Sequence, residues 1–434
     1  MEKIVKVIGA GLAGCEAAYQ LSKRGIKVKL YEMKPKKFSP AHSDENLAEI
    51  VCSNSFKSNL KTNACGLLKE ELRMLGSLLI HIADEVKVPA GQALAVDREL
   101  FSKRVTQEIE KIDNIEIIRK EVTNIDVDEY TIIATGPLTS DVLYKEIQNL
   151  IKEDSLHFYD AAAPIIEKDS IDMNIAFYGD RYGKGDSSYI NLPMNEEEYK
   201  TFYNELINAD VVTLHEFEKR EIFEGCMPVE VMAKRGEDTL RYGPLKPVGF
   251  LDPRTEKRPY AIVQLRQDNS AKTLYNMVGF QTNLKYGEQK RVFSMIPGLK
   301  NAEFVKYGVM HRNTFINSTK LLDETYCMKN NEKIYFAGQI TGVEGYVESI
   351  ASGLVSAINL ANKLNGKERL TFDRENMIGA LSKYISTEND KFQPMNANFG
   401  ILPPLEMKIK DKMERYEKMS ERSINILREK IKNI

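Results

Sequence analysis

Histidine and cysteine are both scarce in this chain, five of each in 434 residues. The cysteines (Cys15, Cys52, Cys65, Cys226 and Cys327) are odd in number and widely spaced, with no CxxC pair. That pattern argues against a disulfide scaffold and a zinc site, and it fits free thiols in a reducing cytoplasm. So few histidines also argue against a His-based metal cluster, and no metal is expected. No apolar run approaches the roughly 18 to 20 residues needed to cross a bilayer. The amino terminus enters a strand without the cationic and apolar segments of a secretory signal. The expectation is a cytoplasmic protein without a membrane partner and with no obligate protein partner inferred. Net charge is nearly absent as well, 61 Lys and Arg against 63 Asp and Glu. Bulk electrostatics therefore does not advertise a nucleic acid, and any RNA contact must come from local basic patches.

What is present starts at the amino terminus. Residues 4–32 read IVKVIGAGLAGCEAAYQLSKRGIKVKLYE: a short apolar strand, the turn Gly9-Ala10-Gly11-Leu12-Ala13-Gly14, a helix, a Gly25 turn, and a second strand ending at Glu32. This is a complete βαβ dinucleotide-binding unit. Gly9 permits the tight turn, Gly11 lets the backbone approach a pyrophosphate, and Gly14 lets helix and strand pack closely. The pyrophosphate belongs on the exposed amides at the positive end of the helix. Glu32, at the tip of the second strand, suits the ribose hydroxyls of an adenosine.

At roughly 150 residues per domain the length suggests two or three domains. After Glu32 comes a basic, Pro-punctuated loop, 33–40, whose lysines read mostly as solvated. Next is the turn-forming cluster Cys52-Ser53-Asn54-Ser55, which falls near the carboxyl ends of the first strands, where open α/β sheets bind ligands. Residues 67–83 carry a helical apolar pattern, and Asp97 is a good N-cap for a further helix. Strands are expected at 115–118 and 132–134, the latter running into Thr135-Gly136. From about 138 to 304 the pattern changes to strand-like pieces (261–265, 277–280), Pro- and Gly-rich turns, and a helix opened by an Asn195/Glu198 capping box. The nucleotide-binding pattern then returns. A strand at 333–336 leads into Ala337-Gly338-Gln339 and Gly345-Tyr346, followed by a long helix with an apolar stripe. Two such half-sites favour FAD over NAD. The expected fold is α/β: a split Rossmann-like FAD-binding domain of the two-dinucleotide-binding-domain flavoprotein type (1–138 and 305–434) with an inserted α+β domain (139–304). The cofactor-binding candidates are Gly9, Ala10, Gly11, Leu12, Ala13, Gly14, Glu32, Gly338, Gln339, Gly345 and Tyr346. The charged tail, 405–434, reads as a solvated helix packed on the body.

The segments 9–18 and 337–346 resemble the GidA-like flavoproteins, which modify uridines in tRNA. Val51-Cys52-Ser53-Asn54-Ser55-Phe56, Glu224-Gly225-Cys226-Met227-Pro228-Val229-Glu230, Thr239 to Pro247 and Phe392 to Gly400 look more specifically like one branch, the folate- and FAD-dependent tRNA (uracil-5-)-methyltransferases (TrmFO). The resemblance spans nearly the whole chain. It implies formation of 5-methyluridine in the tRNA T-loop, with methylenetetrahydrofolate as carbon donor, reduced FAD as hydride donor and NADH or NADPH recharging the flavin. It also implies Cys226 as a candidate nucleophile toward uracil and Cys52 as a second catalytic cysteine near the flavin. The cluster Lys234, Arg235, Arg241, Lys246, Arg254, Lys257 and Arg258 is the best candidate for RNA contact. Ribosomal RNA is the other RNA class open to such an enzyme. The alternatives are a MnmG-like wobble-uridine modification, a small-molecule FAD oxidoreductase, and a non-enzymatic RNA-binding flavoprotein. The larger MnmG enzymes carry a long helical extension that this chain does not share.

Overall fold

The computed structural model describes residues 3–152, 156–183, 189–212, 227–390 and 392–432, with the side chains of 156–160 and 310–312 outside the description. Cys226, and with it residues 224 and 225 of the segment 224–230, lies outside the described residues.

The first strand, β1 (Ile4–Ile8), runs into helix α1 (Leu12–Ser22) and then β2 (Lys27–Glu32), as the local pattern predicts. β1 pairs in parallel with β2 on one side and with Thr131–Ile133 on the other. Ile115–Arg119 extends the sheet beyond β2, and Asn331–Phe336 extends it beyond Thr131–Ile133. A short antiparallel strand, Cys327–Met328, closes that edge. Parallel strands need both faces covered, and helices supply the cover. α1 crosses the long helix Tyr346–Leu364 so closely that a Cβ on Gly353 would lie 2.3 Å from the Ala13 carbonyl. That second helix is buried almost all round, more than the single apolar stripe of the sequence reading implies, because it is sandwiched between the sheet and further helices.

A second sheet of six antiparallel strands lies between residues 165 and 306, with Ala261–Gln267 near its centre. It has its own core, built around Ile166, Leu192, Phe202, Val263, Phe280 and Phe293. The first core takes in residues 5–151 and 315–427, so the helix Asp141–Ile151 buries Leu143, Ile147 and Ile151 there. The two cores are linked by an antiparallel ribbon of Leu156–Ala161 with Met310–Phe315.

Two sequence expectations change. The helical stretch at 67–83 is two helices, Ala64–Met74 and Leu78–Glu85, because Gly76 takes a left-handed φ of 72° and the Ser77 hydroxyl caps the next helix through the Ile80 amide. The strand expected at 277–280 lies earlier, at Leu274–Met277, and Gly279 with φ 78° turns the chain after it. The Asp97 cap and the Asn195/Glu198 capping box form as expected. The tail forms the helix Lys412–Ile431, with Met419 and Leu427 buried and Met413 exposed.

Glu71 ties that tail to the body. Its carboxylate is fully buried: Oε1 accepts from the Met377 amide at 2.7 Å and the Ser423 hydroxyl at 2.5 Å, and Oε2 from the Ile378 amide at 2.8 Å. It thereby caps the helix Met377–Ser386, whose own N-cap residue supplies no side-chain bond. Burial pushes its pKa from 4.5 up to about 7, against the lowering effect of those three donors. Folded protein thus keeps this proton where unfolded chain has lost it. The resulting stability is complete below pH 4.5 and disappears as pH rises through about 7, a change on the order of 3 kcal/mol. Glu71→Gln is expected to remove that part of the slope between pH 5 and 7.5, whatever its overall offset. Parallel urea-denaturation pH profiles for variant and wild type would contradict the assignment.

Candidate active site

The carboxyl ends of β1 and β2 open into one cleft with about 1130 Å³ of space, its open mouth included. Gly9, Ala10, Gly11, Leu12, Ala13, Glu32, Gly338, Gln339 and Tyr346 all line it. Gly14 and Gly345 stand behind it as packing positions. A Cβ on Gly14 would lie 1.8 Å from the Gly9 carbonyl, and one on Gly345, at φ 121°, would lie 2.3 Å from Glu348 Oε2.

The residues fit a dinucleotide. α1 starts at Gly11 with no side-chain cap and no acid in its first turn, so its leading amides are free to bind an anion. A Cβ on Gly11 would meet nothing within 4 Å and would project into open space. Glu32 is buried and already oriented, accepting from the Ala10 amide at 3.2 Å and the Lys34 amide at 2.9 Å. Each of its oxygens keeps lone-pair capacity for a hydroxyl.

The second helix amino terminus, at Tyr346, carries an acid in its first turn, unlike α1. Glu348 is fully buried, with one oxygen bonded to the Ala397 amide at 2.8 Å and the other, Oε2, without a hydrogen-bond partner among the described residues. Lys57, 3.8 Å from Oε1, offsets part of that charge.

Cys52 sits half-buried, its Sγ 3.6 Å from the Ala161 carbonyl. Its loop is fixed from three sides. The Tyr346 hydroxyl accepts from the Cys52 amide at 3.0 Å and the Ser53 amide at 3.1 Å, and burial raises the pKa of that phenol. Arg98 donates to the Ile50 carbonyl at 2.7 Å while pairing with Asp268 at 3.1 Å. Arg266 donates to Asn54 Oδ1 at 2.9 Å and Ser53 Oγ at 2.6 Å. Asp268 and Arg266 both come from the second sheet region, so the two cores meet on the loop that carries Cys52.

The wall 33–51 escaped the sequence reading. Lys34 is buried, not solvated: its ammonium donates to the Asp44 and Asn46 carbonyls, each at 2.7 Å, and pairs with Glu49 at 3.1 Å. Lys36 and Lys37 are exposed as expected. His42 lines the cleft, its Nδ1 2.5 Å from the Ser39 hydroxyl, and burial lowers its pKa. The polar, turn-rich composition of this segment carries no periodic signal that would reveal a folded wall. Of the basic cluster, Arg241 is tied to Asp238 and lies 3.6 Å over the Tyr260 ring, and Arg254 pairs with Asp252 at 2.7 Å. Lys234, Arg235, Lys246, Lys257 and Arg258 are exposed.

A parallel sheet with a glycine-lined cleft between two helix amino termini, and an acid at the end of the second strand, defines a two-dinucleotide-binding-domain flavoprotein fold. The GidA structure from Aquifex aeolicus superposes with a TM-score of 0.72 at 16% identity, covering 99% of this chain and 76% of that one. The family model for glucose inhibited division protein A matches residues 4–368. The methylenetetrahydrofolate-tRNA-(uracil-5-)-methyltransferase TrmFO of Fusobacterium nucleatum is 61% identical over 434 residues, all of both chains. The TrmFO of Acetivibrio thermocellus is 61% identical over 426 residues, 98% of each chain. The chain belongs to the GidA family and, within it, to the TrmFO group.

Proposed function

We propose that this chain is a methylenetetrahydrofolate- and FAD-dependent tRNA (uracil-5-)-methyltransferase that forms 5-methyluridine in the T-loop. The observation that carries the reading is the Cys52 loop, held by Tyr346 against the helix that closes a dinucleotide cleft, in a chain 61% identical over its whole length to a TrmFO protein. Gly9 to Ala13 and Glu32 would hold the FAD pyrophosphate and ribose, and Gly338, Gln339 and Tyr346 would contact the rest of the flavin, with Gly14 and Gly345 packed behind them. Reduced FAD, when bound, supplies the hydride that takes the folate-borne carbon to the methyl level, and NADH or NADPH restores it.

The chain must contribute the rest. Uracil C5 is a poor nucleophile until a thiolate adds at C6, which pushes electron density onto C5. Cys226 is assigned that addition and Cys52 a supporting role beside the cofactor. The Lys34–Glu49 wall and Tyr346 enclose the cleft, which limits water at a site that must keep a hydride for carbon. The target base must leave its stack to arrive there.

The test is incubation of the flavin-loaded protein with a tRNA transcript, NADPH and carbon-labelled methylenetetrahydrofolate. Label is expected as a methyl group in the T-loop, and none from labelled S-adenosylmethionine. Label confined to ribosomal RNA would move the substrate assignment. Absence of label from every RNA would sink the reading.

A further inference from the structure

Two tyrosines in the chain segment that builds the second core are largely exposed, Tyr242 at 78% and Tyr182 at 64%, as is Leu251 at 65%. Tyr182 lies on a turn bonded to the segment that follows Tyr242. The Tyr182 amide donates to the Gly249 carbonyl at 2.7 Å, and Arg181 donates to the carbonyls of Lys246 at 3.1 Å and Val248 at 2.6 Å. The Arg181 guanidinium also lies 5.0 Å over the Phe250 ring. The stretch 246–250, four residues beyond Tyr242, and the turn at 181–183 are therefore locked together.

Tyr182 is held in place at a conformational cost. Its φ is 62°, a left-handed value that bulky residues seldom adopt. Its ring lies over Gly249, where a Cβ would come within 3.2 Å of the ring and 2.6 Å of Arg181 Cγ. Strained residues persist where the surroundings over-determine them, and they cluster at binding sites. The charge beside these rings is positive. Arg241 and Arg254 are paired with Asp238 and Asp252, which leaves exposed Lys234, Lys246, Lys257 and Arg258, the last three with no side-chain partner among the described residues, against the exposed acids Glu237 and Glu256.

The surface also connects to the candidate active site. Arg181 reaches Gln264 at 3.5 Å. Arg266, two residues along the same face of the strand Ala261–Gln267 and so roughly 7 Å away, holds the loop of Cys52 through Ser53 and Asn54. A strand gripped at the tyrosines is thus one short step from the reactive loop.

We propose that the Tyr182/Tyr242 surface is a stacking platform for unpaired bases of the RNA loop, gripping the strand while the target uridine enters the cleft. The inference rests on the RNA-methyltransferase reading and adds the surface that reading lacks. Exposed aromatic rings flanked by cations are the means by which proteins hold single-stranded RNA. Any base can stack on them, so they supply grip without reading sequence.

The test measures binding of a fluorescent T-arm hairpin RNA to the full-length, flavin-loaded chain at several salt concentrations. Tyr242→Ala is expected to weaken binding by about tenfold and the Tyr182→Ala/Tyr242→Ala pair by about a hundredfold, with the salt dependence unchanged. Tyr242→Phe keeps the ring and should bind as wild type. Lys246→Ala should weaken binding and reduce the salt slope by about one unit. Flavin absorbance and melting temperature report the fold in each case, and Tyr242→Ala alone decides if the double variant does not fold. Binding by Tyr242→Ala within about twofold of wild type, as would follow if the surface seated a protein, overturns the proposal. Wild type that binds no RNA would overturn the functional reading itself, a separate and recognisable outcome.

Discussion

Gly14→Ala is expected to emerge from purification without flavin and to melt below flavin-free wild type, whereas Gly11→Ala loses flavin while melting like flavin-free wild type. The two glycines lie three residues apart in the same turn, and the structure separates their roles. A methyl on Gly14 would sit 1.8 Å from the Gly9 carbonyl and 3.5 Å from the Ala134 methyl. Neither neighbour can yield. Gly9 is pinned by the hydrogen bond that its N–H donates to the Tyr31 carbonyl at 2.9 Å, and the far side of the turn abuts Gly353 through Ala13. Relief requires α1 to lift off the sheet, and overpacking of this kind costs about 1–3 kcal/mol or more. The lifted helix carries its free amides away from the pyrophosphate position. Gly11 has φ −76° and ψ −165°, a backbone that alanine adopts without strain, and its methyl would touch no protein atom within 4 Å. The only thing that methyl can obstruct is the ligand. Flavin absorbance and thermal denaturation of the two apoproteins decide the matter: full flavin content in Gly11→Ala would mean that the cleft is not the cofactor site, and a Gly14→Ala that melts like flavin-free wild type would refute the packing argument.

That contrast also marks what the residues disclose by themselves. The turn at Gly9 to Gly14 was legible because glycine spacing, strand and helix are adjacent in the chain and each is dictated by local geometry. The same holds for the strand 331–336 and the helix from Tyr346, where a period of 3.6 residues and the flanking glycines mark both ends. Local signals fail where partners are distant. Nothing near Arg266 announces that it will meet Asn54, or near Arg98 that it will meet Asp268, since these contacts join residues 212 and 170 positions apart. Lys34 reads as a surface lysine until three acceptors from the loop 44–49 converge on it. The break at Gly76 was misread for a related reason: apolar spacing continues through it, and only the left-handed turn and the Ser77 cap show two helices.

Cys226→Ala is expected to keep its yellow colour and lose methylation by at least about 10³-fold, the scale on which removal of a nucleophile acts elsewhere. Among the described residues, the cleft proposed to hold the flavin is lined by segments within 8–51, 120–143 and 338–349, so retained colour is the expected result. Cys52→Ala is the informative companion. Tyr346 and Arg98 hold the backbone of that loop, through the Cys52 and Ser53 amides and the Ile50 carbonyl, so removing the thiol leaves the loop in position and isolates what the sulfur itself does. A 5-fluorouridine T-arm RNA separates the two cysteines. Once a thiolate has added at C6 and the carbon unit has bonded to C5, release of the enzyme requires loss of the C5 proton, and fluorine at that position cannot leave as one. Protein and RNA should therefore remain covalently joined on a denaturing gel in the presence of methylenetetrahydrofolate. The joined species is expected with wild type and absent with Cys226→Ala. If it persists in Cys226→Ala and vanishes in Cys52→Ala, the attacking sulfur is Cys52, already fixed beside the helix that closes the cleft, and Cys226 takes the supporting part.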